Sequence, residues 1–185
     1  VPASVSPMAA CGRAIKTLHP GAITVFIGPC LAKKAEAREP DLSDSTDFVL
    51  TFQEIQDVFD YAGIRPAELE EDDRDHSSRG GRIYAGSGGV SEAVRSTVER
   101  INPGREIAIQ TRHADGVSAC REMLNDILAG KGGANFYEGM GCAGGCIGGP
   151  RALTSREEVR KSVLRYGAEA PYETPIDNPY VVALQ

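Results

Sequence analysis

The chain has 185 residues, one ordinary domain or a large piece of a longer protein, and enough to bury a core without staples. Its 41% hydrophobic and 25% charged residues exclude disordered and collagen-like chains. No apolar run is long enough for a membrane-spanning helix, and no basic stretch with an apolar core marks a signal peptide. The net charge of -6 argues against a nucleic-acid partner, which needs a basic face. Five cysteines, an odd number without a secretory signal, predict a cytoplasmic chain that uses thiols for metal or redox chemistry rather than a disulfide framework.

In chain order, Met8, Cys11, Ile15 and Leu18 recur at helical spacing and predict an amphipathic helix that His19-Pro20-Gly21 ends. Ile23 to Ile27 reads as a buried strand cut short by Gly28-Pro29-Cys30. Phe48 to Leu50 is a second strand, and Thr51 with Glu54 forms a capping box that opens a helix to about Tyr61. Glu68 to Gly81 is charged and reads as a solvated loop. Ile83-Tyr84-Ala85 is a predicted third strand, followed by the turn Gly86 to Gly89 and a helix from about Ser91 to Arg100. Ile107 to Gln110 is a predicted fourth strand. Asp115 is the expected cap of a helix carrying Val117, Cys120, Leu124, Ile127 and Leu128, closed by Gly130. Asn135 to Tyr137 is a short fifth strand that runs into the glycine-rich stretch from Gly139 to Pro150. Ser155 with Glu158 opens a last helix, ending at Gly167, and the proline-bearing tail from Ala168 is expected to be irregular but docked.

Alternation of strands and helices predicts an α/β fold with a largely parallel sheet flanked by helices. Chemistry in such sheets sits on loops leaving the carboxyl ends of strands. Cys11 and Cys120 lie on apolar helix stripes and read as small buried hydrophobes. Cys30, Cys142 and Cys146 sit instead in glycine- and proline-rich turns just past strands, where thiols face a ligand. Three such thiolates suit zinc, copper(I) or an iron-sulfur cluster, and spacing alone leaves iron-sulfur, zinc and no metal open. Lys33 and Lys34 follow Cys30 closely; a cation there favours thiolate and anionic ligands. Gly139 to Gly144 spells G-x-G-x-x-G, but the continuation is too rich in glycine and proline for the helix a dinucleotide site needs. Ala85 to Gly89 is a poor match to a hydrolase elbow.

Two segments carry a resemblance. Gly28-Pro29-Cys30-Leu31-Ala32-Lys33-Lys34-Ala35-Glu36 resembles the M-P-C-x-x-K-x-x-E signature of iron-only ([FeFe]) hydrogenases, and Glu138 to Gly149 resembles their E-x-M-x-C-x-x-G-C-x-x-G-G signature. Between them, Gly86 to Val90 with Glu92-Ala93 is similar to the family's T-G-G-V-x-E-A segment. The resemblance implies half of the two-lobed catalytic domain, with residues 1–185 as its C-terminal portion. It implies that Cys30, Cys142 and Cys146 hold a 4Fe-4S cubane linked to a diiron subsite, together the H-cluster. Cys146 would bridge the two parts, Lys33 would hold a cyanide ligand and Met140 would pack beside the diiron site. The implied activity is interconversion of protons and dihydrogen, with a ferredoxin-like electron carrier and the N-terminal remainder of the same protein as partners. A homodimer of the fragment is a further candidate. The first family signature, T-S-C-C-P-x-W, would precede Val1, and Pro2 falls where a proton-pathway serine is often found. The fragment alone is therefore expected to be inactive and to lack the mature cluster. A hydrogen- or redox-sensing module of the same fold is the alternative.

Overall fold

A computed structural model describes residues 4–71 and 76–183. Pro2 and the middle of the charged Glu68–Gly81 stretch lie outside the described residues. The chain divides into two compact units, Val1–Leu69 with Pro150–Leu153, and Glu70–Gly149 with Thr154–Gln185.

The first unit contains α1 (Pro7–Leu18), β1 (Val25–Gly28), α2 (Ala32–Glu36), β2 (Phe48–Thr51) and α3 (Phe52–Ala62). Ser6 caps α1, with Pro7 in its first turn. α1 buries Met8, Ala9 and Gly12, whereas Cys11 is exposed. The helix thus turns a narrower strip inward than its apolar spacing predicts, because backbone reaches it there: a Cβ on Gly12 would lie 2.0 Å from the Ser45 carbonyl oxygen. β1 and β2 pair in parallel, Val25 opposite Phe48 and Gly28 opposite Thr51. The Thr51–Glu54 capping box forms with both reciprocal bonds. Asp47 accepts the Thr24 N–H at 2.7 Å and the Lys16 ammonium at 2.8 Å, closing the loop before β2.

The second unit contains α4 (Arg79–Ile83), α5 (Gly89–Ile101), β3 (Thr111–Asp115), α6 (Val117–Leu128), β4 (Phe136–Met140), α7 (Arg156–Ala168) and α8 (Pro179–Val182). β3 and β4 are parallel, Thr111 opposite Phe136 and Asp115 opposite Met140. The parallel α/β arrangement is thus present as two separate two-stranded sheets. Three elements differ from the sequence expectation. The segment before the glycine turn is α4, not a strand. Ser78 caps it, and Ile83 sits between α5 and α7, 2.6 Å from a Cβ placed on Gly167. The strand expected at Ile107–Gln110 starts instead at Thr111; Ile107 is exposed, and the partner of β4 is the polar run Thr-Arg-His-Ala-Asp. Asp115 ends β3 and does not cap α6, whose N-cap is Gly116 at φ 80°.

The tail is docked as expected, partly as short helical turns at Pro175–Asp177 and in α8. His76 stacks on Tyr180 with ring centroids 4.1 Å apart, and Arg79 N–H donates to the Tyr172 carbonyl at 2.7 Å. Among the described residues no helix is long and apolar enough to cross a membrane.

Candidate functional site

In the first unit the chain leaves the carboxyl end of β1 through Gly28-Pro29-Cys30 and enters α2. The Pro29 carbonyl accepts the Arg151 N–H at 3.1 Å, which pins the turn, and Cys30 is half-buried within it. The two lysines of α2 part company. Lys34 reaches Glu54 at 2.8 Å, tying α2 to the capping box of α3. That ammonium, with the Thr51 N–H, holds the Glu54 carboxyl down at about 2. Lys33 lies 2.5 Å from Glu36, and Glu36 also accepts the Ser6 hydroxyl. Burial pushes the Glu36 carboxyl up, but the Lys33 and Ser6 hydrogen bonds outweigh it and leave it ionised below the usual range. An ammonium carries three donors, so the Glu36 contact leaves Lys33 able to donate further.

In the second unit the cysteine loop leaves the carboxyl end of β4 directly after Met140. The parallel register sets Asp115 beside Met140, and its carboxylate reaches forward to accept the Gly144 N–H at 2.9 Å. That backbone bond is the main cause of an Asp115 carboxyl below its ordinary value. The loop then pairs with the segment after α4. The Ser87 N–H donates to the Gly144 carbonyl at 3.1 Å, the Ile147 N–H to the Ala85 carbonyl at 3.2 Å, and Gly86 faces Gly145 in an antiparallel bridge. Gly145 has φ 86°, and a Cβ there would stand 2.5 Å from the Ser87 nitrogen, so close backbone approach excludes a side chain. The Arg156 stem lies behind the loop, its Cδ 2.6 Å from a Cβ on Gly144. These glycines therefore answer to packing within the protein, whereas a Cβ on Gly141 would meet nothing within 4 Å. Cys142 is half-buried and Cys146 exposed. A 3-10 turn, Cys146–Gly148, follows the G-x-G-x-x-G stretch in place of the helix a dinucleotide site requires.

Glu138 was legible as the first letter of a signature but not as a structural bracket. It is buried, and its two oxygens accept the Gly88 N–H at 2.8 Å and the Ser91 N–H at 2.7 Å. The carboxylate thus satisfies orphan donors at the start of α5 and complements the helix dipole. Only the parallel register of β3 and β4 reveals the Asp115–Gly144 bond; no sequence signal marks it. Cys120, expected to be a buried hydrophobe, is only half-buried, and its thiol donates to the Met140 carbonyl at 3.3 Å and the Ala114 carbonyl at 3.4 Å.

Within each unit, among the described residues, no three His, Cys, Asp or Glu side chains gather as a ready metal group. The first unit carries one thiol on a turn, Cys30, and the second carries two, Cys142 and Cys146, none of them in a disulfide. Thiol sulfur is a soft donor, of the kind that zinc, copper(I) and iron-sulfur groups take.

A family model described as the iron only hydrogenase large subunit, C-terminal domain, matches residues 1–150. The chain is 30% identical over 160 residues to the periplasmic [Fe] hydrogenase large subunit of Nitratidesulfovibrio vulgaris, covering 68% of this chain and 38% of that protein. It is 27% identical over 199 positions to the NADP-reducing hydrogenase subunit HndD of Solidesulfovibrio fructosivorans, covering 88% and 34%. The chain therefore spans little more than a third of the length of these relatives. Among solved structures, an [FeFe]-hydrogenase studied for oxygen inactivation of its H cluster superposes with a TM-score of 0.74 at 21% identity, over 100% of this chain and 64% of that one. An [FeFe]-hydrogenase of Chlamydomonas reinhardtii gives 0.70 at 20% identity, over 97% and 64%. At those identities the structural likeness establishes the fold.

Proposed function

Because the chain belongs to the family of iron-only hydrogenase large subunits, matching its C-terminal domain, we propose that it forms the C-terminal portion of an H-cluster domain that interconverts protons, electrons and dihydrogen. One observation carries the reading. All three candidate thiols stand on turns just past the carboxyl ends of parallel strands: Cys30 after β1, and Cys142 and Cys146 after β4. That is where an α/β scaffold presents ligands. We assign Cys30, Cys142 and Cys146 as thiolate ligands of a cubane, with Cys146 also facing the diiron subsite. When bound, the H-cluster supplies the iron that exchanges electrons with protons and dihydrogen.

The chain's own residues bind and orient. Lys33, paired with Glu36, offers its remaining donors to an anionic ligand of the cluster. Met140, last residue of β4, brings an apolar, polarizable side chain to the start of the cysteine loop. Asp115 holds the loop backbone at Gly144. A cubane takes four thiolates and these residues supply three, so we assign the fourth to the N-terminal remainder of the protein and expect this stretch to be inactive alone. A ferredoxin-like carrier is the electron partner that suits an iron-sulfur group, and the five cysteines without a disulfide suit a reducing cytoplasm.

The test is iron and acid-labile sulfide analysis of the intact gene product, purified without oxygen, beside Cys30→Ser, Cys142→Ser and Cys146→Ser. Each substitution is expected to lower the content of a cubane of about four irons. Unchanged iron in all three variants, or one zinc in its place, overturns the assignment. Hydrogen turnover by the same preparation separates an enzyme from a sensor that keeps the cluster without catalysis.

A further inference from the structure

We propose that Asp115 is a positioning residue of the thiol pair Cys142 and Cys146. It fixes the turn between them and lowers the reduction potential of the iron-sulfur group they hold, so the proposal rests on the reading of both cysteines as ligands. The placement is direct. Asp115 ends β3 opposite Met140, and its Oδ1 accepts the Gly144 N–H at 2.9 Å. Gly144 stands midway between the two cysteines. Covalent geometry then keeps that oxygen within about 9 Å of the Cys142 Cα and about 12 Å of the Cys146 Cα. The Gly145 N–H donates to the Cys142 carbonyl at 3.0 Å, closing a tight turn with Gly144 at φ 85°. The Ser87 N–H donates to the Gly144 carbonyl at 3.1 Å. Gly144 is thus held at both its N–H and its carbonyl, and the hold at its N–H is the one a side chain supplies.

A neutral amide oxygen would serve the turn as well, since the bond needs one acceptor. What aspartate adds is a negative charge at a fixed place. Asp115 is half-buried. The basic side chains that share with it a cavity of about 670 Å³, His113, Arg156 and Arg160, are all exposed, where solvent screens them. An iron-sulfur group gains an electron on reduction, so a carboxylate this close opposes that step. The Coulomb energy falls only as the inverse of distance and is larger through protein than through water. Net charge is among the factors that set a cluster's potential, and groups that orient the ligands from behind tune it as well.

The experiment uses the intact gene product with its cluster, comparing the parent with Asp115→Asn, Asp115→Glu and Asp115→Ala. Three quantities are read: iron content, thermal midpoint, and the cluster's reduction potential by EPR-monitored titration at one pH. Asp115→Asn keeps the acceptor and removes the charge; it should keep the iron content and the midpoint and shift the potential positive. Asp115→Glu keeps the charge and should stay nearer the parent potential than Asp115→Asn does. Asp115→Ala loses both, so it should also lose iron, which Asp115→Asn retains. A cysteine-dependent cluster whose potential is the same in the parent and in Asp115→Asn overturns the inference and leaves the functional reading standing. A thermal midpoint that falls in Asp115→Asn assigns the carboxylate to the fold and also overturns it. Iron that is absent from the parent, or insensitive to Cys142→Ser and Cys146→Ser, overturns the functional reading and this inference with it.

Discussion

Replacing Glu138 tests how the glycine-rich turn and the cysteine loop are held. The residue is 5% exposed, and its carboxylate accepts two backbone N–H groups at 2.8 and 2.7 Å. Hydrogen bonds to a charged group contribute about 1.5–3 kcal/mol each. Glu138→Gln keeps the size but retains one acceptor; its amide N–H groups then face a second donor. One charge-assisted bond is lost and a buried donor at the start of α5 is left unsatisfied, for a cost of about 2–3 kcal/mol. Total stability of a domain is of order 5–15 kcal/mol, so this is a large fraction. In urea, with a slope of roughly 1–3 kcal/mol/M, the midpoint followed by far-UV circular dichroism should fall by about 1 M. Glu157→Gln, on the exposed face of α7, should change it by less than about 0.3 M. The effect should persist in high salt, because buried interactions are weakly screened. A Glu138→Gln midpoint equal to that of the parent would refute the idea that this carboxylate anchors the turn.

Two further outcomes follow from the same geometry. Gly145→Ala forces a Cβ to within 2.5 Å of the Ser87 nitrogen at φ 86°, so backbone strain alone should cost roughly 1–3 kcal/mol. Gly141→Ala, with open space around it, should stay within about 0.5 kcal/mol; similar losses at both sites in parallel denaturation curves would contradict the packing account. Glu54 is held at about 2 by Lys34 and the Thr51 N–H, and Asp47 at about 2 by Lys16 and Thr24. Both values lie below those of the unfolded chain, so this stabilisation is complete above about pH 4.5 and is lost as pH falls towards 2. Lys34→Met should flatten the acid limb of a stability–pH profile; an unchanged limb would show that the pairing is not what stabilises the first unit in acid.

Local signals were legible in the sequence. The Thr51–Glu54 capping box needs only residues three apart, and the strand at Phe48 and the helix ending at Leu18 follow from short-range periodicity and stop signals. The cysteine turns were legible for the same reason: glycine and proline mark where a strand must end, and a thiol there has no core to enter. The tertiary structure decided what lies between distant residues. Ile83-Tyr84-Ala85 has the composition of a strand, yet packing against α5 and α7 makes it the end of a helix and a turn. Thr-Arg-His-Ala-Asp has the composition of a loop, yet it is β3, because β4 supplies its hydrogen bonds. Cys11 lies on an apolar stripe but faces outward, because the Ser45 carbonyl occupies the neighbouring side of α1. Asp115 reaches Gly144, Glu138 brackets Gly88 and Ser91, and Gly86 bridges Gly145 only through pairings that join residues 29 to 59 positions apart. The sequence determined which side chains can do chemistry, since that is a property of each residue type. Their neighbours were set by register and close packing, which belong to the folded chain alone.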